Sequence, residues 1–235
     1  MTLSEIKSAI SIEPFYEELN GSGILYCADC LPVLKMLPDK CVDLVLTDPP
    51  YGKQWARGEN AIGCIKCINE DYYNLHWDKN IPAEIYFDEM RRVSKNQIIF
   101  GGNYFTEYLK PSNCWICWDK IGDMKDKRGE QIPFAEIELA WTSFKRTSKI
   151  YKLRVQGFIT DSQDKREHPT QKPSEVFKMI INDFTKMNDI ILDPFLGSGT
   201  TAVACKELGR RFIGIEISPA YLEICKKRLA QGILL

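Results

Sequence analysis

Apolar residues in this chain cluster in short dense runs, and the stretches between them carry apolar positions at helical spacing. Gly23–Cys27 (GILYC) and Val42–Thr47 (VDLVLT) are almost unbroken apolar runs, as expected of strands covered on both faces of a parallel sheet. A helix is predicted over 31–37, stopped by Pro38, and the second run ends at Pro49-Pro50, where two prolines in series forbid continuation. Residues 82–93 predict a helix with Pro82 near its first turn and Arg91 and Arg92 at its C-terminal end. Strands are predicted at 97–100 and 113–118. From 119 to 172 the pattern is less regular, with strands expected at 136–142 and 150–155 and no helix between them. Regularity returns in a helix over 174–186, a strand over 190–192, a helix over 199–208, a strand over 211–215 and a last helix capped by Ser218 with Pro219 at its first position. Alternating strands and helices at both ends predict an open α/β sheet, and the irregular middle reads as an insertion.

Composition narrows the class. With 235 residues, 44% hydrophobic and 27% charged, the chain fits one globular domain, and disorder or fibrous structure is excluded. No apolar run approaches the ~20 residues of a membrane helix. Glu5, Glu13, Glu17 and Glu18 stand where a signal peptide would be apolar. A soluble, cytoplasmic chain is therefore expected. Nine cysteines in such a chain read as mostly reduced thiols. Cys114 and Cys117 lie three apart on a predicted strand and point to opposite faces. Of the three CxxC pairs, only Cys64/Cys67, in a polar loop with His76 nearby, is placed to chelate zinc; buried or idle cysteine is the better reading, and no metal is expected.

Two motifs carry chemistry. Asp193-Pro194-Phe195-Leu196-Gly197-Ser198-Gly199-Thr200-Thr201 leaves a buried strand and enters a helix. Its glycines let the backbone approach a ligand, and the helix start offers unpaired N–H groups. Glu216 ends the next strand, where a carboxylate can accept hydrogen bonds from ribose hydroxyls. A dinucleotide site matches this spacing loosely, whereas a P-loop is excluded because no Gly-Lys-Ser/Thr follows. The second motif, Asp48-Pro49-Pro50-Tyr51, sits at the carboxyl end of a buried strand, the edge where α/β sheets bind ligands. Asp48 and the Pro49 carbonyl can accept from an amine, and the Tyr51 ring can stack on a planar base.

These stretches resemble the DNA methyltransferases that modify exocyclic amino groups with S-adenosylmethionine as donor. The resemblance rests on 47–52 (TDPPYG), 168–173 (HPTQKP) and 193–201 (DPFLGSGTT) with Gly214 to Glu216, and on 101–105 (GGNYF) and 29–31; it spans 24–229. The motif order resembles the permuted beta group. It implies a Rossmann-like methyltransferase fold: a mostly parallel, doubly wound sheet, circularly permuted, with a small target-recognition insertion. It further implies that Asp193, Phe195, Gly197, Ser198, Gly199, Thr200 and Thr201 line the donor, with Glu216 on its ribose and Asp29 toward its adenine. His168 and Lys172 would lie beside the same pocket. Asp48, Pro49, Pro50 and Tyr51 would hold and stack the flipped target base. Aspartate at position 48 resembles the adenine-N6 enzymes more than the cytosine-N4 ones; methylation of an RNA base and a non-catalytic nucleic-acid-binding domain stay open as alternatives. No covalent intermediate is needed, and no cysteine follows a proline as a cytosine-C5 enzyme would require.

The formal charge of −1 conceals a gradient. Residues 1–118 carry 11 basic and 16 acidic side chains, 119–172 carry 12 and 9, and 173–235 carry 8 and 7. Lys145, Arg146, Lys149, Lys152 and Arg154 lie in a stretch without acids, interleaved with Trp141, Phe144, Tyr151 and Phe158. They form the expected footprint on double-stranded DNA. One catalytic domain over 1–235 is expected, with 119–165 as target-recognition insertion and the 53–80 loop as a second DNA contact. The resemblance is compatible with a homodimer and with a cognate restriction endonuclease, in a bacterial or phage-infected host cell. The recognition sequence is not legible.

Overall fold

The computed structural model describes residues 1–52, 80–121, 135–156, 159–160 and 172–231. The chain opens with α1 (Leu3–Ala9), where Thr2 and Glu5 cap each other's backbone, and a short strand β1 (Tyr16–Glu17). Both are too short to show a periodicity. Then come β2 (Gly23–Cys27), α2 (Cys30–Met36), β3 (Val42–Thr47), α3 (Glu84–Val93), β4 (Ser94–Phe100), a 3₁₀ turn at Gly102–Tyr104 and β5 (Trp115–Asp119). β6 (Ile137–Thr142), β7 (Lys149–Lys152) and the two short strands β8 (Val155–Gln156) and β9 (Ile159–Thr160) follow. The last part holds α4 (Ser174–Phe184), β10 (Ile190–Asp193), α5 (Thr200–Glu207), β11 (Arg211–Glu216) and α6 (Pro219–Ala230).

The main sheet runs in the order β1-β2-β11-β10-β3-β4-β6-β5-β7. β2, β11, β10, β3 and β4 are parallel neighbours, and β6 runs against both β4 and β5. Side chains alternate between two buried layers, as the pleat requires. Leu44, Leu46, Ile98, Phe100, Ile191 and Phe212 meet α4, α5 and α6 on one face. Val45, Ile99, Ile190, Leu192, Ile213 and Ile215 meet α1, α2 and α3 on the other. The sheet is thus doubly wound, and the expected fold class holds.

Within the expected insertion, Ile137–Thr142 and Lys149–Lys152 are strands of the main sheet. The antiparallel strand β6 brings the chain back without a crossover helix, so the strand–helix rhythm lapses although the sheet continues. The remainder of the expected recognition segment, 122–134, 157–158 and 161–165, and the 53–79 loop with Cys64, Cys67 and His76, lie outside the described residues. Among the described residues no group of three His, Cys, Asp or Glu side chains could hold a metal ion.

β3 and β10 pair through Leu44, Val45, Ile191 and Leu192, which brings their carboxyl ends together. There the Thr47 hydroxyl donates to Asp193 Oδ1 at 2.6 Å, Thr201 of α5 donates to Oδ2, and the Phe195 N–H donates to Oδ1 at 3.1 Å. Asp193 is 4% exposed, and burial pushes its carboxyl up to about 6 from an ordinary 3.8, against those three donors. A carboxyl raised on folding binds more protons folded than unfolded. Its contribution to stability is full below pH 3.8 and is lost as pH rises through about 6. Wild type should therefore lose about 2 kcal/mol relative to Asp193→Asn between pH 4 and pH 7, measured by urea unfolding. A difference that is flat with pH would show that Asp193 folds with an ordinary pKa.

Candidate active site at the carboxyl edge of the sheet

The parallel strands end along one edge, and both sequence motifs emerge there side by side. On the β11–β10 side, the 193–201 loop turns sharply into α5. Gly197 has φ +55, and no atom lies within 4 Å of the place a Cβ would take, so the backbone faces open space. The Glu216 carboxylate accepts from the Gly197 N–H at 2.9 Å and the Ser218 N–H at 2.8 Å, and burial raises its pKa. β11 pairs with β2 up to Glu216 and Cys27, which sets Asp29 beside Glu216. Asp29 caps α2 by accepting from the Leu31 N–H at 2.9 Å and stays exposed. Tyr86 of α3 adds a ring 6.1 Å from that of Phe195, and its hydroxyl pKa is raised by burial and by the charge of Asp29. Two carboxylates, an aromatic pair and an open glycine backbone fit an adenosyl cation: acceptors for ribose hydroxyls and a base amine, and negative charge for a sulfonium.

Other residues of this loop point inward. Ser198 accepts from Arg228 of α6 at 3.3 Å, Thr200 donates to the Lys172 carbonyl at 3.2 Å, and Thr201 is spent on Asp193. Arg228 Nη1 also donates to the Ser198 carbonyl at 2.8 Å. Thus Asp193, Ser198, Thr200 and Thr201 are engaged within the loop, whereas Gly197 borders open space and Asp29 is exposed. Gly199, in the left-handed conformation, starts α5. His168 lies outside the described residues.

On the β3–β4 side, Asp48 follows Thr47 directly, with Pro49 buried behind it. The Tyr51 hydroxyl donates to Asp48 Oδ1, and the Tyr51 ring packs against Gly101. Gly101 has φ +67, and a Cβ there would lie 2.2 Å from that ring, so only glycine lets the ring seat. The Tyr104 ring packs on Tyr51 at 4.9 Å between centroids and is 38% exposed.

Lys172 links the two motifs, its carbonyl on Thr200 and its ammonium on Asp48. The resemblance places it beside the donor, and its ammonium donates to Asp48 Oδ2 and to Tyr51 Oη at 3.2 Å. Its side chain is 9% exposed, and Glu138 of β6 faces it at 3.3 Å. Burial alone would lower the Lys172 pKa; the carboxylates of Asp48 and Glu138 outweigh it and hold the ammonium well above its usual range. Burial raises Asp48 against the pull of Lys172. Burial would likewise raise Glu138, but Lys172 and Lys120 bring it below the usual carboxylate range. Glu138, Tyr86 and Arg228 were not legible as site residues: each is a polar position in an ordinary strand or helix, and only the strand order brings it to this edge.

The five basic residues of the expected DNA footprint do not come together. β6 runs antiparallel, so the turn after it lies away from the edge that carries Asp48, and the Ser143 N–H donates to the carbonyl of Gln97 in the middle of β4. Arg146 there donates to the Asp183 carbonyl at 2.9 Å and covers the Phe184 ring at 4.8 Å; Lys149 is bound to the Asp183 carboxylate at 2.6 Å. Lys145 is exposed beside them. Only Lys152 and Arg154, at the far end of β7, lie at the edge that carries Asp48, because β7 runs parallel to β5 and pairs Lys152 with Asp119.

Comparison with known proteins agrees with this geometry. Residues 110–227 match the N6/N4 methyltransferase family, described as DNA methylase. The Type II methyltransferase M2.LlaDCHI of Lactococcus lactis subsp. cremoris is 29% identical over 99% of this chain and 98% of its own. M.HinfI, a Type II methyltransferase of Haemophilus influenzae, is 27% identical over 86% of this chain and 67% of its own. Among solved structures, an M1.HpyAVI–SAM complex is 27% identical with a TM-score of 0.53, covering 87% of this chain and 98% of that one. The PvuII DNA methyltransferase, named as cytosine-N4-specific, shares the fold with a TM-score of 0.62 at 16% identity, over 93% and 89% of the two chains. An edge that fits an adenosyl cation on one side and presents a carboxylate on the other is what this family requires: the chain belongs to the N6/N4 DNA methylases and is an S-adenosylmethionine-dependent DNA methyltransferase.

Proposed function

We propose that this enzyme methylates the exocyclic N6 of adenine in double-stranded DNA, at a base flipped out of the helix. The observation that carries the reading is an aspartate at position 48, on the rigid Pro49-Pro50 turn at the end of β3. The lone pair of an exocyclic amine is delocalised into its ring, so the amine is a poor nucleophile. Asp48 and the Pro49 carbonyl accept its two hydrogens and favour a tetrahedral nitrogen whose lone pair is available. Bound S-adenosylmethionine supplies the electrophilic methyl group. As the nitrogen takes the methyl, the methyl–sulfur bond would break and the donor would leave as a neutral thioether. The nitrogen becomes cationic, the Asp48 carboxylate offsets that charge, and the surplus amine proton is then lost through Asp48 to solvent. Much of the rate then comes from holding amine and donor in line. Tyr51, held by its hydroxyl on Asp48, and the exposed Tyr104 ring packed on it together form the aromatic surface on which the flipped base stacks. Asp29, Glu216, Phe195 and Gly197 hold the donor.

Lys152 and Arg154 carry the DNA backbone past this edge, with the segments around 53–80 and 155–165 adding recognition. The two Type II relatives support a cognate restriction endonuclease that reads the same sequence. The cytoplasm of a bacterial or phage-infected cell, where substrate DNA is accessible, is the site of action.

Expression in an unmethylated host, followed by base-resolved mapping, should show N6-methyladenine in one short sequence; N4-methylcytosine there would overturn the adenine assignment. Asp48→Ala should lower turnover by at least ~10²-fold while calorimetric titration finds donor binding intact, since Asp48 acts on the amine. Lys152→Glu with Arg154→Glu should weaken DNA binding and flatten its salt dependence by about two phosphate contacts, whereas Lys145→Glu leaves the slope in place. The reverse pattern would move the DNA path to the opposite edge.

A further inference from the structure

We propose that Lys120, Glu138 and Lys172 form a charge relay behind Asp48, in which Glu138 and Lys120 are positioning residues acting on Asp48 through Lys172. The inference rests on the reading that Asp48 receives the target amine. Four charges of alternating sign lie in series: Lys120 Nζ is 2.9 Å from Glu138 Oε1, Glu138 Oε2 is 3.3 Å from Lys172 Nζ, and Lys172 is bound to Asp48. They come from four separate places: the residue after β5, the second residue of β6, the approach to α4 and the end of β3. No two are neighbours in sequence, so the series is a product of the strand order β3-β4-β6-β5.

Depth gives the series a direction. The Lys172 side chain is 9% exposed and that of Asp48 is 28%. The ammonium therefore backs the carboxylate and leaves its outer side to an incoming amine. Lys172 also lies 5.2 Å from the centre of the Phe100 ring and 5.5 Å from that of Tyr51, which fixes its height over the sheet. Alone, an ammonium behind Asp48 would hold the carboxylate in place but weaken the negative potential where the amine becomes cationic. Glu138 faces the same ammonium and restores that potential; Lys120 tempers Glu138 in turn. Position and potential are thus set separately: Lys172 orients Asp48, and the two outer charges tune it. The Lys172 carbonyl meanwhile accepts from Thr200, so the same residue is tied to the donor loop.

The relay predicts alternating signs. Asp48 must be ionised to accept from the amine, so kcat/KM for DNA methylation falls as pH drops through its pKa. The charged and titratable groups facing it are Tyr51 on its own turn, Lys172 before α4, Glu138 on β6 and Asp193 across Thr47. Glu138→Gln removes a negative charge and should move the acidic limb of the profile down by about half a pH unit or more. Lys120→Met removes a positive charge from Glu138 and should move the limb up. Glu138→Asp and Lys120→Arg, which keep the charges, should keep the wild-type limb, and donor affinity by calorimetry should stay within about twofold in all four. A structural prop would lower the melting temperature without displacing the limb in opposite directions. Limbs that move together, or do not move, in an enzyme that needs Asp48 would overturn the relay alone. An Asp48→Ala enzyme that still turned over would overturn the amine assignment and the relay with it.

Discussion

The hydrogen bond from Thr47 to Asp193 joins the two halves of this active site. Residues 146 apart in sequence meet at the ends of adjacent parallel strands. Asp193 is fully enclosed and takes donors from the target strand, its own loop and α5. Leaving such a carboxylate short of a partner costs about 1–3 kcal/mol, so the contact holds β3 and β10 in register as well as in contact. Everything functional is measured from that point. Asp48 directly follows β3, and Phe195 and Gly197 follow Asp193 at fixed intervals, so a shift between the strands would separate the 193–201 loop from the Asp48 carboxylate.

Much of this architecture is legible in the sequence, for an identifiable reason. Strands such as Val42–Thr47 and Ile190–Asp193 are buried on both faces and announce themselves as apolar runs, and the prolines and glycines at their ends mark the turns where chemistry sits. Asp48, Tyr51, Gly197 and Glu216 are therefore locatable without coordinates. The donors around them are not. Lys172 stands in a stretch that resembles a donor-side motif, yet its long side chain reaches across to Asp48; a motif fixes a main-chain position, not where a flexible stem points. Glu138 and Lys120 come to the site only because β6 turns back beside β4, and no local pattern encodes which strand lies next to which. For the same reason a basic stretch that looks continuous in sequence is divided between opposite edges of the sheet, as a strand of four residues carries Lys149 and Lys152 to different ends.

Charge at the site is organised by depth. The enclosed cation, Lys172, is met by three acceptors, two on the turn after β3 and one on β6, and the partly open carboxylates flank it. Buried ion pairs of this kind contribute little net stability, because desolvation offsets attraction. What they give is a fixed geometry. A carboxylate held from behind by an ammonium and from the side by a tyrosine hydroxyl cannot swing away when a base enters.

Sheet order also has a consequence for the order in which the protein can be made. β10 and β11 follow β2 through β9 along the chain and leave the ribosome after them, yet they lie between β2 and β3. Until β10 and β11 emerge, a two-strand gap separates β2 from β3, and the facing edges of those two strands lack their partners. Such edges invite pairing with other chains. β10 and β11 are thus an insertion wedge: they close the gap, cover both edges and bring in the 193–201 loop. A nascent or truncated chain ending before residue 190 therefore lacks both the donor loop and the contact that aligns Asp48 with it.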